Sequence, residues 1–155
     1  MADVYVSGPL TGQPNVDTLK AFYEKIGEIC LHLGMQPYIP HQHSDPIFHS
    51  ELSPEYIYNL DREKVAKANL VVAYVGLPST GVGLEIEIAR QHNIPVILIY
   101  ETGRAVSRMV RGSPAIIAEV VGSDLKHVLE KLQHVLMDLD PLANLQQTVA
   151  GRYVI

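Results

Sequence analysis

The feature that most constrains this chain is the alternation of short apolar runs with segments of helical periodicity. Val4 to Ser7 reads as a first strand and stops at Gly8-Pro9. Residues 15–33 then carry Leu19, Phe22, Ile26, Ile29 and Leu33 at the spacing of one helix face. Asn15 is placed to cap that helix and Gly34 to end it. Gln36 to Ile39 is a short second strand closed by Pro40, and residues 40–52 form a loop rich in His, Ser, Asp and Pro. Ser53-Pro54 opens a helix running to about Ala68. Leu70 to Val75 is a strongly apolar third strand, followed by a Gly-rich turn over Gly76 to Gly83 and a helix from Leu84 to His92. Pro95 to Tyr100 is a fourth strand. A turn and short helix reach Arg111, Ala115 to Val121 is a fifth strand, and Ser123 caps a last helix to about Met137.

A strand–helix order of this kind builds a parallel sheet with helices on both faces. The expectation is an α/β, flavodoxin-like (Rossmann-like) three-layer sandwich with a five-stranded parallel sheet. One domain over residues 1–137 accounts for it, in keeping with 155 residues. The tail, residues 138–155, is expected to be disordered or packed on a partner subunit. In open sheets of this type ligands bind beyond the carboxyl ends of the strands, at the switch in strand order. Gly8 to Gly12, Gly76 to Gly83 and the residues after Tyr100 meet that edge.

Composition removes several function classes. The net charge of −5 argues against a partner made of nucleic acid polymer. It does not argue against one small phosphate, which a few backbone N–H groups can hold. No apolar run approaches the roughly 20 residues that cross a bilayer, so no membrane association is expected. The start, MADVYVSGPL, lacks a basic region followed by an apolar core. The single cysteine, Cys30, reads as a small buried residue of the first helix, and a cytoplasmic location is the expectation.

Pro78-Ser79-Thr80-Gly81-Val82-Gly83-Leu84-Glu85 lies between an apolar strand and a helix. Glycines there let the backbone approach a ligand, and a helix start offers unpaired N–H groups to an anion, with the Ser79 hydroxyl as a further donor. A tight structural turn is the alternative on spacing alone. Glu85 falls in the first turn of the expected helix, where the dipole favours its ionised form, suited to attack on a sugar carbon. A plain helix-stabilising Glu is the competing reading. Asp61 is in line with Ile57, Val65 and Ala68, on the apolar side of its helix. Burial there would raise its pKa and let it act as an acid, unless it is a satisfied structural Asp. Tyr5 lies two residues before the Ser7-Gly8-Pro9 exit, either as a core ring or with its hydroxyl directed at a carboxylate. His41, His43, His49 and Asp45 in the loop lack the Cys support or helical His pair of a metal site, so a substrate or surface loop is expected there and no metal.

Val4-Tyr5-Val6-Ser7-Gly8, the Asp61 helix leading to Ala68-Asn69-Leu70-Val71-Val72-Ala73, Pro78 to Glu85, and Gly103-Arg104-Ala105-Val106-Ser107-Arg108-Met109-Val110-Arg111-Gly112 occur in that order. Together they resemble the 2'-deoxynucleoside 5'-monophosphate N-glycosidases and, more broadly, the nucleoside 2-deoxyribosyltransferase superfamily. The resemblance covers about residues 3–137. It implies Glu85 as nucleophile, Asp61 as the second catalytic carboxylate and Tyr5 as the hydrogen-bond partner of the nucleophile. It implies phosphate contacts at Ser79 and Ser107, the last reaching into a neighbouring subunit's site, and hence a homodimer with shared active sites; Gly8, Gly81 and Gly83, at the ligand edge of the sheet, are expected substrate contacts beside them. The implied substrate is a small nucleotide or nucleoside, with no cofactor. The chain departs from the glycosidases after Gly8: where they carry a Ser and then an Arg, it has Pro9 and Thr11, a form closer to the deoxyribosyltransferase branch. The implied activity is therefore N-glycosidase on 2'-deoxynucleoside 5'-monophosphates. The alternatives are a transferase exchanging bases between deoxynucleosides and a non-catalytic nucleotide-binding module.

Overall fold

The structure, a computed structural model, describes residues 1–139 and 153–155. The strands are β1 (Asp3–Ser7), β2 (Gln36–Tyr38), β3 (Leu70–Tyr74), β4 (Val96–Glu101), β5 (Ile116–Gly122) and β6 (Tyr153–Val154). The helices are α1 (Val16–His32), α2 (His41–Ser44), α3 (Pro54–Lys67), α4 (Thr80–Gln91), α5 (Arg108–Arg111) and α6 (Leu125–Asp138). The sheet order is β2-β1-β3-β4-β5-β6 with every pairing parallel. The five expected strands thus stand in the flavodoxin-like order, and the two residues of β6 extend the sheet beyond β5 of the same chain. Most of the tail, residues 140–152, lies outside the described residues.

Strand alternation builds two cores. Val4, Val6, Leu70, Val72, Tyr74, Ile97 and Ile99 face α1 and α6 and pack with Phe22, Ile26, Leu132 and Leu136. Tyr5, Val71, Ala73, Leu98 and Tyr100 face α3 and α4 and pack with Val65, Val82, Ile86 and Ala89. β3 is buried along its whole length because both of its faces are covered, which is why its sequence is a continuous apolar run. Period two puts Tyr5 and Ser7 on the α3/α4 face together. β1 stands between β2 and β3, so the reversal in winding opens between β1 and β3, and both candidate carboxylates come from helices beside that point.

Several boundaries differ from expectation for identifiable reasons. α4 begins at Thr80, not Leu84, because Ser79 caps it: Ser79 Oγ accepts from the Val82 N–H at 3.3 Å. The expected Gly76 to Gly83 turn is thus cut short, with Gly81 and Gly83 inside the helix, and Glu85 sits in its second turn. At α6 the capping side chain is Asp124, accepting from the His127 N–H at 2.8 Å, whereas Ser123 donates its own N–H to the His127 ring. Asn15 precedes α1 without a side-chain cap, while Gly34 ends it at φ +76° as expected. The loop after β2 contains the one-turn helix α2, which carried no periodic signal.

Candidate active site

A cleft of about 480 Å³ lies at the carboxyl ends of β1 and β3. That is within the range of small-ligand sites. Its floor is Gly8, Asp61 and Glu85; one wall is Pro78 to Val82 at the start of α4, and the other is Pro40, Ser44 and Pro46. Ser53 caps α3 by accepting from the Tyr56 N–H, and Pro54 follows at its first position. The helix that results turns Asp61 inward one turn after Ile57, while Val65 and Ala68 anchor its far end in the core.

Glu85 and Asp61 approach each other across this floor beneath two β1 hydroxyls. Glu85 Oε2, Asp61 Oδ1, Tyr5 Oη and Ser7 Oγ are all buried, and none makes a well-formed hydrogen bond within the chain. Buried polar atoms rarely remain unmatched. Two of the four, Glu85 and Asp61, line the cleft, and the Tyr5 and Ser7 hydroxyls of β1 act on them from the sheet side.

Burial is the dominant influence on both carboxyls. It pushes Glu85 up to about 8, with the Asp61 charge adding to the rise, against the opposing pull of the Ser7 and Tyr5 hydroxyls. Asp61 is raised to about 6, again by burial and against the pull of Tyr5. The α4 dipole does not hold Glu85 ionised as expected: Glu85 lies past the first turn, where that effect fades, and desolvation outweighs it. Tyr5 is wholly buried, and its phenol is held well above its ordinary range by burial and by both carboxyls. It is a proton donor throughout the working pH range.

The start of α4 faces the cleft with Ser79, Thr80 and Gly81. Helix geometry leaves the Thr80 and Gly81 N–H groups without intrahelical acceptors. Gly83, expected to contribute its amide, does not line this cleft, and its N–H already donates to the Ser79 carbonyl at 3.2 Å. Gly8 approaches Tyr23 so closely that a Cβ would stand 2.3 Å from the ring, and the Tyr23 hydroxyl donates to the Pro9 carbonyl at 2.8 Å. The β1 exit is fixed by that contact.

Ser107 is not at the Glu85 cleft. It caps α5, accepting from the Val110 N–H, and lines an adjoining cleft of about 470 Å³ that shares Pro78, Ser79, Thr80 and Val82 with the first. Arg104 pairs with Glu101 at 3.0 Å, and Arg111 with Glu119 at 2.7 Å. Among the described residues lining the Glu85 cleft, Asp61 and Glu85 are the only acidic or basic side chains.

The loop histidines are dispersed. His41 Nε2 meets Glu24 at 2.9 Å, and His43 stacks on Tyr38. Among the described residues no three metal-ligating side chains gather. Asp45 instead organises the loop: it pairs with Lys20 and accepts from the Ile47 and Phe48 N–H groups, and this holds Ser44 and Pro46 against the cleft. Cys30 is buried in α1, its thiol pushed up to about 12 by burial. No described helix is long and apolar enough to cross a membrane.

Ser7 and the wall residues Pro40, Ser44 and Pro46 were not singled out from the sequence. Ser7 had a usable signal, the two-residue step from Tyr5; the wall residues had none, because a tertiary ion pair places them.

The family model described as nucleoside 2-deoxyribosyltransferase matches residues 4–145. A Methanosarcina mazei protein, provisionally named 2'-deoxynucleoside 5'-phosphate N-hydrolase 1, is 36% identical over 83 residues, covering 54% of this chain and 52% of its own length. A Syntrophotalea carbinolica protein with the same provisional name is 44% identical over 62 residues, covering 39% of this chain and 44% of its own. The chain therefore spans about half the length of the curated relatives it matches. A CMP N-glycosidase from Clostridium botulinum superposes with a TM-score of 0.66 at 18% identity, over 86% of this chain and 98% of that one. A 2-deoxyribosyltransferase from Bacillus psychrosaccharolyticus superposes at 0.63 and 20% identity, over 90% and 93%. At these identities the superpositions establish the fold.

Proposed function

The chain belongs to the nucleoside 2-deoxyribosyltransferase family, and from that premise we propose that it is an N-glycosidase cleaving the base–deoxyribose bond of 2'-deoxynucleoside 5'-monophosphates. The observation that carries the reading is the half-buried Glu85–Asp61 pair, with one carboxyl oxygen of each buried, at the floor of a nucleotide-sized cleft with a helix start on its wall. The provisional names of the curated relatives support the same substrate class.

The mechanism is a retaining double displacement. Glu85 attacks C1' from the face opposite the base, forming a C1'–O bond as the C1'–N bond breaks. The departing nitrogen keeps the electron pair and takes the proton of Asp61. Water then adds to C1', gives its proton to Asp61, and releases Glu85 as a carboxylate. Between about pH 6 and about pH 8 the carboxyl pair holds one proton. Chemistry needs that proton on Asp61 and the charge on Glu85, the reverse of the order in which burial alone sets the two carboxyls. The cationic character growing at C1' favours the ionised Glu85 and supplies the shift. Tyr5 and Ser7 hold the charged nucleophile by hydrogen bonding. The phosphate sits at the start of α4, on Ser79 and the free Thr80 and Gly81 amides. Ser107 serves the site of a second subunit in a homodimer.

The lack of a Lys or Arg among the described residues lining the cleft favours a second reading, a transferase in which a base replaces the water. Product analysis decides between them. The enzyme is given dGMP, dCMP, deoxyguanosine and the ribonucleotides, with and without an acceptor base. Free base and deoxyribose 5-phosphate from the deoxynucleotides, unaffected by acceptor, support hydrolysis. Base exchange between nucleosides supports the transferase, and no turnover of any of them refutes both.

A further inference from the structure

A second groove, of about 550 Å³, runs between α3 and the β2 edge of the sheet. It shares no lining residue with the Glu85 cleft. The β1–β2 register pairs Asp3 with Gln36 and Tyr5 with Tyr38, so the period of two sets these side chains on the α3 face. β2 is an edge strand and is incompletely covered: Gln36 is exposed and Tyr38 half-buried. From α3 the groove is bordered by Tyr56, Leu60, Lys64 and Lys67, spaced four, four and three apart, which is one stripe of the helix. That stripe is about 16 Å long, enough for a mononucleotide lying along it.

Rings and ammonium groups meet in this groove. The Lys64 ammonium lies 5.1 Å from the Tyr38 ring centroid, and His43 stacks on the same ring at 4.5 Å and 7°. Tyr56 adds a ring that is 52% exposed. The positive charge is not consumed within the chain. Among the described residues Lys64 forms no ion pair, and Lys67 pairs with Glu63 one turn back, both side chains exposed, a contact that solvent screens. Asp3 is the one carboxylate among the described lining residues, against two ammoniums. In a chain of net charge −5 this groove runs against the average.

We propose that this groove is a second ligand site, for a small planar aromatic molecule that carries an anion, with a nucleoside 5'-monophosphate as its type. The planar ring lies on the surface of Tyr38, His43 and Tyr56, and the phosphate meets Lys64 and Lys67. Tyr5 stacks on Tyr38 with centroids 5.6 Å apart and also borders the groove, so the bound molecule lies behind the floor of the Glu85 cleft. The site does not depend on the function proposed above.

The test is an NMR titration of AMP into the isotope-labelled chain, read at the backbone amides, with adenosine and inorganic phosphate as separate arms. AMP should shift the Gln36, Tyr38, Lys64 and Lys67 amides along one saturation curve. Adenosine and phosphate should each bind there about tenfold more weakly or worse, since each engages only half of the groove. Lys64→Gln should weaken AMP by about tenfold, the worth of one charge-assisted hydrogen bond, and Tyr56→Ser should weaken it as well. Neither substitution should change the response of the Ser79 and Gly81 amides, which report the Glu85 cleft. Phosphate binding as tightly as AMP, an affinity indifferent to both substitutions, or no shift at the four groove amides overturns the proposal. A groove that binds AMP in a chain that turns over no nucleotide defeats the proposed function and leaves the second site standing.

Discussion

Burial raises the carboxyls of Glu85 and Asp61, and the Tyr5 and Ser7 hydroxyls, not cations, oppose that rise. Their raised pKa values have a kinetic and a thermodynamic consequence. The proposed mechanism requires one proton on the pair, so kcat/KM against pH should be a bell with limbs near 6 and 8. A rate that is flat across those limbs would remove the pair from the proton accounting. For stability the sign follows from Glu85 being raised in the fold. Its contribution is fully present below its unfolded value of about 4.5 and is lost as pH rises through about 8. Glu85→Gln should therefore be more stable than wild type at pH 8.5, on the order of a few kcal/mol, and about equal to it at pH 4. Denaturant melts at the two pH values check this; equal differences at both would mean that Glu85 is not desolvated. Asp61→Asn should lower kcat by about 10²–10⁴, the ordinary worth of positioned acid–base help. A loss under about threefold would return Asp61 to a structural role.

Individual elements reveal what could be read in the residues and what could not. The first five strands and the long helices were legible because each carries a complete period: the apolar run of β3, the 19-22-26 face of α1, and Ser53-Pro54 before α3; the two residues of β6 are too short to carry one. The α4 start was misplaced because Gly81 and Gly83 are poor helix formers. The Ser79 cap and the packing of Val82 and Ile86 override that weak preference. The same misplacement put Glu85 one turn too early and credited it with a dipole it does not feel. The cleft wall at 40–46 was illegible for another reason. The Lys20–Asp45 pair that fixes it joins residues distant in the chain. Ser79 now has two duties, cap and proposed phosphate donor. Ser79→Ala should cost about 1 kcal/mol of stability through the Val82 N–H. It should also lower the ratio of kcat/KM for dGMP over deoxyguanosine, chiefly through the nucleotide. A ratio at or below one, indifferent to this change, would mean that the α4 start does not read a phosphate and would make the transferase the leading account.

For the molecule as a whole, the sheet order places the crevice, and α5 borders a second cleft that adjoins it. Ser107 opens onto a separate cleft of its own chain, and Met109 beside it is 90% exposed. Leu84 on α4, next to Gly83 of that cleft, is also exposed. A second copy of the chain seated there would cover these apolar groups and bring Ser107 to its partner's site, and twofold pairing is the commonest assembly of soluble chains. Sedimentation should find a dimer or an assembly of dimers, and Met109→Glu should shift it toward monomer with loss of activity. A monomer that is fully active at assay concentration would refute the shared site. The central claim is narrower than this: one carboxylate, at the floor of the cleft, forms a bond to the sugar. The direct measurement is mass spectrometry of enzyme quenched during turnover of a slow 2'-deoxynucleoside 5'-monophosphate. The account predicts a deoxyribosyl phosphate adduct on the peptide containing Glu85, absent from Glu85→Gln, which folds but does not turn over. Near-normal turnover by Glu85→Gln, or an adduct on any other residue, would contradict it.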